Sequence, residues 1–441
     1  MTPRLSLAMI VRNEADRLGA CLDSLQELVD EMVVVDTGST DATVAIARAR
    51  GAKVCSFAWV DDFSAARNES LRQCSGDWVL VLDADERMDA EGTAAIRAAL
   101  HRPQVEGFLL TIRNYLPSGA YLGIHGGSLP NPGGFPGTEH LAFCTEFPAL
   151  RLFRRQEGMA YTGRIHEVMD PAFDAHGWRS APLAAVIHHL GKAEPDREQA
   201  KQQAYFQLAQ ADAREHPGDP RLQYNLLQEA AMNGAWEACA EAARAFLRLR
   251  PRAPLKVFLE GARALRELGR LDEAEAILAR APDSPDTRPI RLVAEADLQF
   301  ARGQADGALT ALLEAIAADP HSTLSFLRLG RWLQEQGDCE AARDLLRAGL
   351  DQNPRDLLLW EALVGVSAAE GNLPIAARDA WDALAAFPEG GRGLWHQMVA
   401  HALLQKGSTA EAAEVVARGL AAFPGEPGLV RLTAQVSPGS Q

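Results

Sequence analysis

The sequence predicts an α/β domain followed by an all-α array of helical repeats. Short apolar segments alternate with amphipathic ones over the first hundred residues, which is typical of a largely parallel sheet with crossover helices. Three apolar segments end in polar residues, as strands do where they border a ligand crevice. Beyond residue 216, proline recurs every 34 to 36 positions, which indicates a repeated unit of structure.

The composition narrows the class of protein. A chain of 441 residues with 47% hydrophobic residues has room for two or three domains. The net charge of −15, with no Lys/Arg-rich run, argues against a nucleic-acid partner. The six cysteines are far apart and form no Cys-x-x-Cys pair, so we expect reduced thiols and a cytoplasmic protein. No apolar run approaches the ~20 residues of a membrane span, and residues 5–11 are interpreted as a strand and not a signal peptide.

Four buried strands and three helices are expected in the first hundred residues. The strands are predicted at 5–11, 31–36, 52–59 and 78–82. One helix follows Asn13, a second has Ser39 or Thr40 as its N-cap and stops at Gly51, and a third covers 63–74. No Gly-x-Gly-x-x-Gly follows the first strand, so the usual dinucleotide fingerprint is missing.

The fourth strand ends in Asp83, Asp85 and Glu86. A pair of acids one residue apart occurs by chance about 8 times in a chain of this composition, so the pair alone carries no weight. Its position at the end of an apolar strand is what favours a site over a solvated turn. Asp36 and the run Arg12-Asn13-Glu14 end two other strands, and hard oxygen ligands suit Mg²⁺ or Mn²⁺ holding a phosphate.

Residues 5 to about 100 resemble the nucleotide-binding half of family 2 glycosyltransferases, which have the glycosyltransferase-A fold with a Rossmann-like sheet. The matching segments are Ile10-Val11-Arg12-Asn13-Glu14, Val35-Asp36-Thr37-Gly38-Ser39-Thr40-Asp41, Asp62-Phe63-Ser64-Ala65-Ala66-Arg67-Asn68 and Leu82-Asp83-Ala84-Asp85-Glu86. The resemblance implies that Asp36 contacts the base, Asp83 the ribose and Asp85 the metal. The expected nucleotide-binding set is Val11, Arg12, Asn13, Glu14, Asp36, Ser39, Arg67, Asp83 and Ala84. Arg67 is expected near the diphosphate or, equally, as an exposed helix charge.

Two later segments resemble those of repeat-bearing bacterial members of the family. They are Gly163-Arg164-Ile165-His166-Glu167 and Ile187-His188-His189-Leu190-Gly191. The resemblance implies a metal-ligand role for His189, with a core or capping histidine as the alternative. Between residue 100 and the first of these two segments, strands are expected at 107–112 and 149–154. The Gly- and Pro-rich stretch 117–137 is expected to be a mobile loop over a bound sugar or an inert insertion.

The catalytic residues are expected to be Glu167 and its neighbour His166. Family membership implies inversion of the anomeric carbon, which requires a general base for the acceptor. The usual base in the family is an aspartate about a hundred residues beyond the metal pair. Glu167 departs from that pattern in residue type and spacing, so Glu146 and Asp170 stay open as alternatives.

The proline period matches the 34-residue tetratricopeptide repeat, which consists of two helices and a turn. The prolines are Pro217, Pro251, Pro285, Pro320, Pro354, Pro388 and Pro424. We therefore divide the chain into a catalytic domain at 1–195, a connecting helix at 196–217, six repeats at 218–436 and a disordered tail at 437–441. First helices line the concave face of such arrays. The phase places there the candidate acceptor residues Arg221, Tyr224, Lys256, Arg263 and Arg331, together with Arg266, Phe300 and Glu361.

The predicted function is metal-dependent, inverting transfer of a sugar from a nucleotide-diphosphate donor, with a UDP-sugar favoured, to a protein or peptide held by the repeats. One alternative is a lipopolysaccharide-core or lipid-linked acceptor. Another is a non-catalytic repeat scaffold whose transferase domain has decayed. The donor sugar, the linkage and the oligomeric state are not predicted.

Overall fold

The computed structural model describes residues 3–102, 104–120, 128–190, 195–388 and 391–436, with side chains from 202 onward in the helix that starts at 195. The chain forms two compact units. The first comprises Met1–Tyr115 and Thr145–Ala281, and the second Leu116–Cys144 and Pro282–Gln441. The predicted tail at 437–441, residues 121–127 of the predicted loop at 117–137, and Gly191 of the second histidine segment lie outside the described residues.

The first unit is built on a mixed, curving sheet. Its strand order is β3-β2-β1-β4-β8-β6-β9-β5, and β1 to β4 run parallel. Strand β8 is antiparallel to β4, β9 is parallel to β6, and β5 is antiparallel to β9. In chain order the strands are β1 (Leu5–Val11), β2 (Glu31–Asp36), β3 (Lys53–Ser56), β4 (Trp78–Val81), β5 (Glu86–Met88), β6 (Gly107–Leu116), β7 (Leu129–Pro130), β8 (Phe143–Arg154) and β9 (Ser180–His189).

Helices cover both faces of this sheet, which explains its continuous apolar strands. In the first helix, Leu18, Cys21, Leu22 and Leu25 are buried and recur at helical spacing. In the sheet, the buried ring of Trp78 stacks on Phe108 at 5.6 Å. The helices are α1 (Ala15–Leu25), α2 (Thr43–Ala49), α3 (Phe63–Gln73), α4 (Ala90–Ala99) and α5 (Asp170–His176).

The predicted start of the second helix was wrong. Helix α2 begins at Thr43, and neither Ser39 nor Thr40 caps it. Both residues instead bind Asn13, which follows β1. The Ser39 hydroxyl accepts from the Asn13 amide, and the Thr40 amide donates to the Asn13 side chain. The third strand is also shorter than 52–59, since only Lys53–Ser56 pairs with β2.

The C-terminal part of the chain consists of helix pairs at the predicted period. Gly337 and Gly371 each follow the first helix of a pair with φ of +82° and +74°, a conformation that glycine adopts without strain. The first unit contains α6 (Pro195–Glu215), α7 (Pro220–Met232), α8 (Trp236–Leu249), α9 (Leu255–Glu267) and α10 (Leu271–Leu278). The second contains α11 (Arg288–Ala301), α12 (Ala305–Ala318), α13 (Thr323–Glu335), α14 (Cys339–Gln352), α15 (Leu357–Ala369), α16 (Leu373–Ala386), α17 (Gly393–Gln405), α18 (Thr409–Ala422) and α19 (Pro427–Val436).

The segment Leu116–Cys144 is assigned to the second unit, and its residues 117–119 contact the helices of that unit. Asp356, which is fully buried, accepts from the Ser118 hydroxyl at 3.1 Å and from the Gly119 amide at 2.8 Å. The Leu357 amide donates to the carbonyl of Pro117. In the described residues, therefore, this stretch is attached to the repeats at Pro117, Ser118 and Gly119. Its role as a loop over a bound sugar or as an inert insertion stays a prediction.

Two further sequence expectations concern membranes and thiols. Among the helices of the described residues, none is both long enough and apolar enough to cross a bilayer. All six cysteines are free thiols, and four of them are buried.

Candidate active site

The C-terminal ends of β1, β2 and β4 meet at one edge of the sheet. The strands are parallel and in register, with Val11 opposite Asp36. The β1 turn is tied to the β2 turn through Asn13, whose φ is +57° and whose side chain accepts from the Thr40 amide at 2.7 Å. Val11 is buried, and its carbonyl accepts from the Thr37 amide. The turns that follow β1 and β2, where the nucleotide is predicted to bind, are thus joined by hydrogen bonds.

Asp36 is buried at the end of β2 and is oriented by backbone amides. Its carboxylate accepts from the Gly38 amide at 3.2 Å and from the Ser39 amide at 3.1 Å. Arg12, by contrast, is exposed beside this turn. Each carboxylate oxygen has further lone pairs, so Asp36 can accept from a ligand as well.

Asp83 lies between the buried Arg67 and the half-buried Arg151. Arg67 on α3 donates to one of its oxygens, and Arg151 on β8 lies 3.5 Å from the other. Burial alone would raise the pKa of the Asp83 carboxyl, but the charges of Arg67 and then Arg151 outweigh it and hold the pKa well below its usual value. The expectation of Arg67 as an exposed helix charge was wrong, because its guanidinium is buried against the sheet edge.

Glu86 binds the backbone and the arginine next to Asp83. Its buried carboxylate accepts from the Asp83 amide at 2.8 Å and from the Arg151 guanidinium at 3.1 Å. Burial raises the pKa of Glu86. Ala84, which lies between Asp83 and Asp85, is also buried, so one side of this turn packs against the protein interior.

Asp85 faces the end of β9. The Nε2 atom of His189 lies 3.2 Å from its Oδ2 atom, and the guanidinium of Arg17 lies 3.7 Å from the same oxygen. Burial raises the pKa of Asp85, but the hydrogen bond and the positive charge of His189 together lower the pKa overall. Burial lowers the pKa of His189, but Asp85 outweighs that effect and raises it. The two predicted metal ligands are therefore neighbours.

These two side chains fit a hard divalent cation in part. Within the described residues, no group of three or more His, Cys, Asp or Glu side chains is arranged around one point. Mg²⁺ is usually held by one or two carboxylates together with substrate phosphates and water, so a pair such as Asp85 and His189 suits a metal that arrives with a diphosphate.

The neighbouring His188 is the structural histidine of this pair. It is buried, its Nε2 atom lies 3.0 Å from Asp89, and its Nδ1 atom lies 2.7 Å from the hydroxyl of Tyr115. Burial lowers the pKa of His188. Successive residues of a strand face opposite sides, which is why His188 enters the core while His189 meets Asp85.

Glu167 joins the same charge cluster. Its Oε1 atom accepts from the Nε atom of Arg67 at 2.9 Å, so one guanidinium bridges Glu167 and Asp83. His166 has φ of +47° and turns the other way, with its Nε2 atom 2.9 Å from Glu229 on α7. The structure thus brings Glu167, but not the His166 ring, to the arginine between the strand ends.

The alternative bases lie elsewhere. Glu146 on β8 forms an ion pair with Arg113 at 2.6 Å. Asp170 is exposed and begins helix α5. Neither contacts Asp83 or Arg67 through a described hydrogen bond.

Two stretches of the chain match known protein families. Residues 6–143 match the model of glycosyl transferase family 2, and residues 299–365 match that of the tetratricopeptide repeat. The chain carries a family 2 glycosyltransferase domain. The predicted fold class, a glycosyltransferase-A α/β domain followed by tetratricopeptide helices, is confirmed by these matches and by the strand order.

Similarity to individual proteins covers short stretches. A TPR repeat-containing protein of Synechococcus elongatus is 50% identical over 105 residues, 24% of this chain and 26% of that protein. An uncharacterized glycosyltransferase of Rickettsia conorii is 38% identical over 91 residues, 21% of this chain and 32% of that protein. The matches thus span about a quarter to a third of these relatives. The structure of S. aureus TarS 1–349 with UDP-GlcNAc has 16% identity and a TM-score of 0.35, over 71% of this chain and 91% of TarS.

Two residues near the candidate site, Arg151 and Tyr205, were missed by sequence reasoning. Arg151 follows the alternation of its strand, between the apolar Leu150 and Leu152, and that pattern was a usable signal for an inward-facing charge. Tyr205 lies on α6, outside any motif, and its ring contacts Phe63 edge to face at 5.5 Å. Burial, and then the negative charges of Glu167 and Asp83, raise the pKa of Tyr205. A residue of the helical half therefore lies beside the glycosyltransferase domain's acids.

The predicted acceptor residues fall into both units. Arg221 donates to the carbonyl of Thr162 at 3.3 Å, five residues before Glu167. Arg331, on α13, belongs to the second unit and pairs with Glu335.

The other three line α7 and α9 in the first unit. Lys256 donates to Gln228 at 3.0 Å, and burial lowers the pKa of its ammonium group. Arg263 lies over the ring of Trp236 at 5.0 Å. The buried hydroxyl of Tyr224 has no hydrogen-bond partner within the described structure. These positions stay predictions for acceptor binding.

Proposed function

We propose that the protein is a metal-dependent, inverting glycosyltransferase that moves a sugar from a nucleotide-diphosphate donor, with a UDP-sugar favoured, to a protein or peptide acceptor. The observation that carries the proposal is the meeting of Asp36, Asp83 and Asp85 at one sheet edge, with His189 against Asp85. A binding scaffold has no physical need for such a crevice.

The donor would lie across the ends of β1, β2 and β4. Asp36 would accept from the base, in line with its fixed carboxylate and its remaining lone pairs. Asp83 would accept from the ribose hydroxyls, because the flanking arginines keep it ionised. Val11, Arg12, Asn13, Glu14, Ser39 and Ala84 would complete the turns around the nucleotide.

Asp85 and His189 would hold the divalent cation, Mn²⁺ or Mg²⁺. Such an ion neutralises the negative charge that develops on a leaving diphosphate. Arg17, which already lies 3.7 Å from Asp85, places a fixed positive charge at the same point.

Glu167 would act as the general base. It would take the proton from the acceptor group as that group's lone pair attacks the anomeric carbon, and the electron pair of the breaking bond would leave with the diphosphate. Attack from the face opposite the leaving group inverts the anomeric configuration. Support for Glu167 over Glu146 and Asp170 is its bridge through Arg67 to Asp83.

The acceptor would be held by the first helices of the repeats. Arg221, Tyr224, Lys256 and Arg263 line α7 and α9 of the unit that contains the acids. They are rich in hydrogen-bond donors, which suits the carbonyl and carboxylate oxygens of a polypeptide. Arg331 would take part only if the acceptor extends to the second unit.

The test is thermal stabilisation by uridine, guanosine and thymidine diphosphates, each with and without Mn²⁺. A ligand that binds only the folded state raises the melting temperature, and the shift grows with the ratio of free ligand concentration to Kd. We expect a shift with uridine diphosphate that needs the metal. No shift with any nucleotide, with or without Mn²⁺, would contradict the proposal and favour the scaffold.

A further inference from the structure

The Glu167 loop is a short closed segment, here residues 162–168. Its ends are joined by an antiparallel bridge between Thr162 and Val168, with N–H···O distances of 3.0 and 3.2 Å. Within it, His166 adopts a left-handed backbone conformation, which a non-glycine residue holds only when its surroundings compensate. What compensates here determines where Glu167 points.

Helix α6 holds the first part of the loop. Asp212, whose side chain is buried, accepts from the Arg164 amide at 2.8 Å. Glu215, one turn later, accepts from the Arg164 guanidinium at 2.9 and 3.0 Å. Both acids lie in the helix that precedes the first repeat.

Helix α7 contacts the loop at Thr162, Gly163 and His166. Glu229, itself 3% exposed, contacts His166 Nε2 at 2.9 Å. Arg221, two turns earlier on the helix, donates to the Thr162 carbonyl and lies so close to Gly163 that an added Cβ would be 2.9 Å from its guanidinium. Burial of the Glu229 carboxylate is costly without a hydrogen-bond partner. The contact between Glu229 and His166 therefore stabilises both α7 and the loop.

On its other side the loop contacts the α/β domain. The Phe63 amide donates to the Arg164 carbonyl at 2.9 Å, and Arg67 donates to Glu167. The loop is therefore held between α3 and the helices α6 and α7, with Glu167 on one side and His166 on the other.

We propose that Glu229 of the first repeat is a positioning residue for the Glu167 loop, acting through His166, so that this repeat is part of the transferase machinery as well as a docking element. The inference rests on the proposed function of Glu167 as base. It assigns His166 a positioning role in place of direct participation in the chemistry.

The experiment uses the full chain and four variants: Glu229→Ala, Glu229→Gln, His166→Asn and the double variant His166→Asn/Glu229→Ala. Asparagine tolerates a left-handed conformation, so His166→Asn removes the ring with the least strain on the backbone. Glutamine keeps one acceptor oxygen for the His166 ring. Glu273→Gln is the control, because Glu273 is a repeat carboxylate on α10 paired only with the surface residues Arg244 and Arg270 in the described contacts.

The readouts are nucleotide release from UDP-glucose and UDP-N-acetylglucosamine, uridine diphosphate binding, and amide hydrogen exchange of residues 162–168. We expect Glu229→Ala and His166→Asn each to lower kcat by about 10- to 100-fold, since small misplacements of a catalytic group cost that much. KM and nucleotide affinity stay unchanged, and hydrogen exchange rises in the loop. The double variant is no slower than either single variant, and Glu229→Gln recovers most of kcat.

Three results would overturn the proposal: a kcat unchanged in His166→Asn, single effects that multiply in the double variant, or loosening of the loop without loss of kcat. Failure of the underlying function gives a different result. In that case the unsubstituted chain neither binds uridine diphosphate nor releases it from either donor, while the exchange response of the loop persists.

Discussion

The Nε2 atom of His189 lies 3.2 Å from the Oδ2 atom of Asp85, although the two residues are more than a hundred positions apart in the chain. The contact follows from the register of β5 on β9, which places Glu86 directly opposite His189. An acid from one strand end and a histidine from another are thus held together before any ligand binds.

Substituting Asp85 is expected to remove the metal dependence of donor binding. Asp85→Asn keeps the shape of the side chain but loses the charge that a divalent cation requires. The thermal shift with uridine diphosphate and Mn²⁺ should fall to that with uridine diphosphate alone. Asp16→Asn, an exposed acid on α1, is the control and should keep the full shift. A full metal-dependent shift in Asp85→Asn would exclude Asp85 as a ligand.

Substituting the candidate base is expected to separate binding from transfer. Glu167→Gln retains the hydrogen bond from Arg67 but cannot take a proton at neutral pH, so kcat should fall at least about 100-fold. Donor affinity, measured calorimetrically, should change little. Glu157→Gln alters an exposed acid in a nearby turn and should be silent. Near-normal turnover in Glu167→Gln would shift attention to Glu146 or Asp170.

Removing Arg67 is expected to destabilise the fold as well as the site. Arg67→Gln leaves Glu167 and Asp83 without their shared guanidinium, and breaking a buried ion pair from one side costs about 3 kcal/mol or more in free energy of unfolding. Arg72 lies on the same helix and pairs with Glu69, but its own side chain is 70% exposed. Arg72→Gln should therefore cost less than about 1 kcal/mol. Chemical denaturation of both variants measures the difference, and equal values would refute this view of Arg67.

The contact between segment 116–120 and the repeats is expected to depend on Asp356. Asp356 caps α15 and also accepts from Ser118, Gly119 and Thr323, whereas Asp338 is exposed and caps α14 alone. Asp338→Ala should cost about 1 kcal/mol. Asp356→Ala should cost about 3 kcal/mol, because several buried donors lose their acceptor.

Hydrogen exchange distinguishes the two caps. Amides at 116–120 should exchange faster in Asp356→Ala and at the normal rate in Asp338→Ala. Protection of that segment in both variants would mean that Asp356 does not hold it.

His396 is expected to make the second unit sensitive to mild acid. Its ring is buried in α17, its Nδ1 atom lies 3.1 Å from the Arg392 carbonyl, and burial lowers its pKa. A histidine with a lowered folded-state pKa binds more protons when unfolded. Its contribution is therefore complete above the unfolded value of about 6.5 and is lost as the pH falls through the folded-state pKa.

The measurement is the melting temperature between pH 5 and pH 8. In His396→Leu the decline toward pH 5 should be shallower than in the unsubstituted protein. His401→Leu, which changes an exposed histidine on the same helix, should leave the profile as it was. Identical profiles for His396→Leu and the unsubstituted chain would rule out this residue as the cause.

Much of the candidate site at the sheet edge was predicted from local sequence patterns. Asp36, Asp83 and Asp85 were predicted as neighbours because each ends a buried parallel strand, and chain direction alone puts such ends on one edge. The repeat period likewise predicted the helix pairs, since each pair is a local unit that stacks on the next.

Other parts of the site depend on long-range packing that no local pattern records. Tyr205 lies near the acids although its helix carries no motif. Arg67 was expected either near the diphosphate or as an exposed charge, and the packing of α3 against β1 and β2 buries it. Ser39 and Thr40 were misread as helix caps because their actual partner, Asn13, is 26 and 27 residues away.

The sequence by itself determined the fold class, the polar strand ends and the repeat array, because strand ends and helix spacing are set by residues close together in the chain. Only the tertiary structure decided which charges meet. The bridge from Glu167 through Arg67 to Asp83, the contact of His166 with Glu229 and the attachment of segment 116–120 to Asp356 join residues 16 to 238 positions apart. Such contacts depend on the packing of complete elements, so they exist only once the chain has folded.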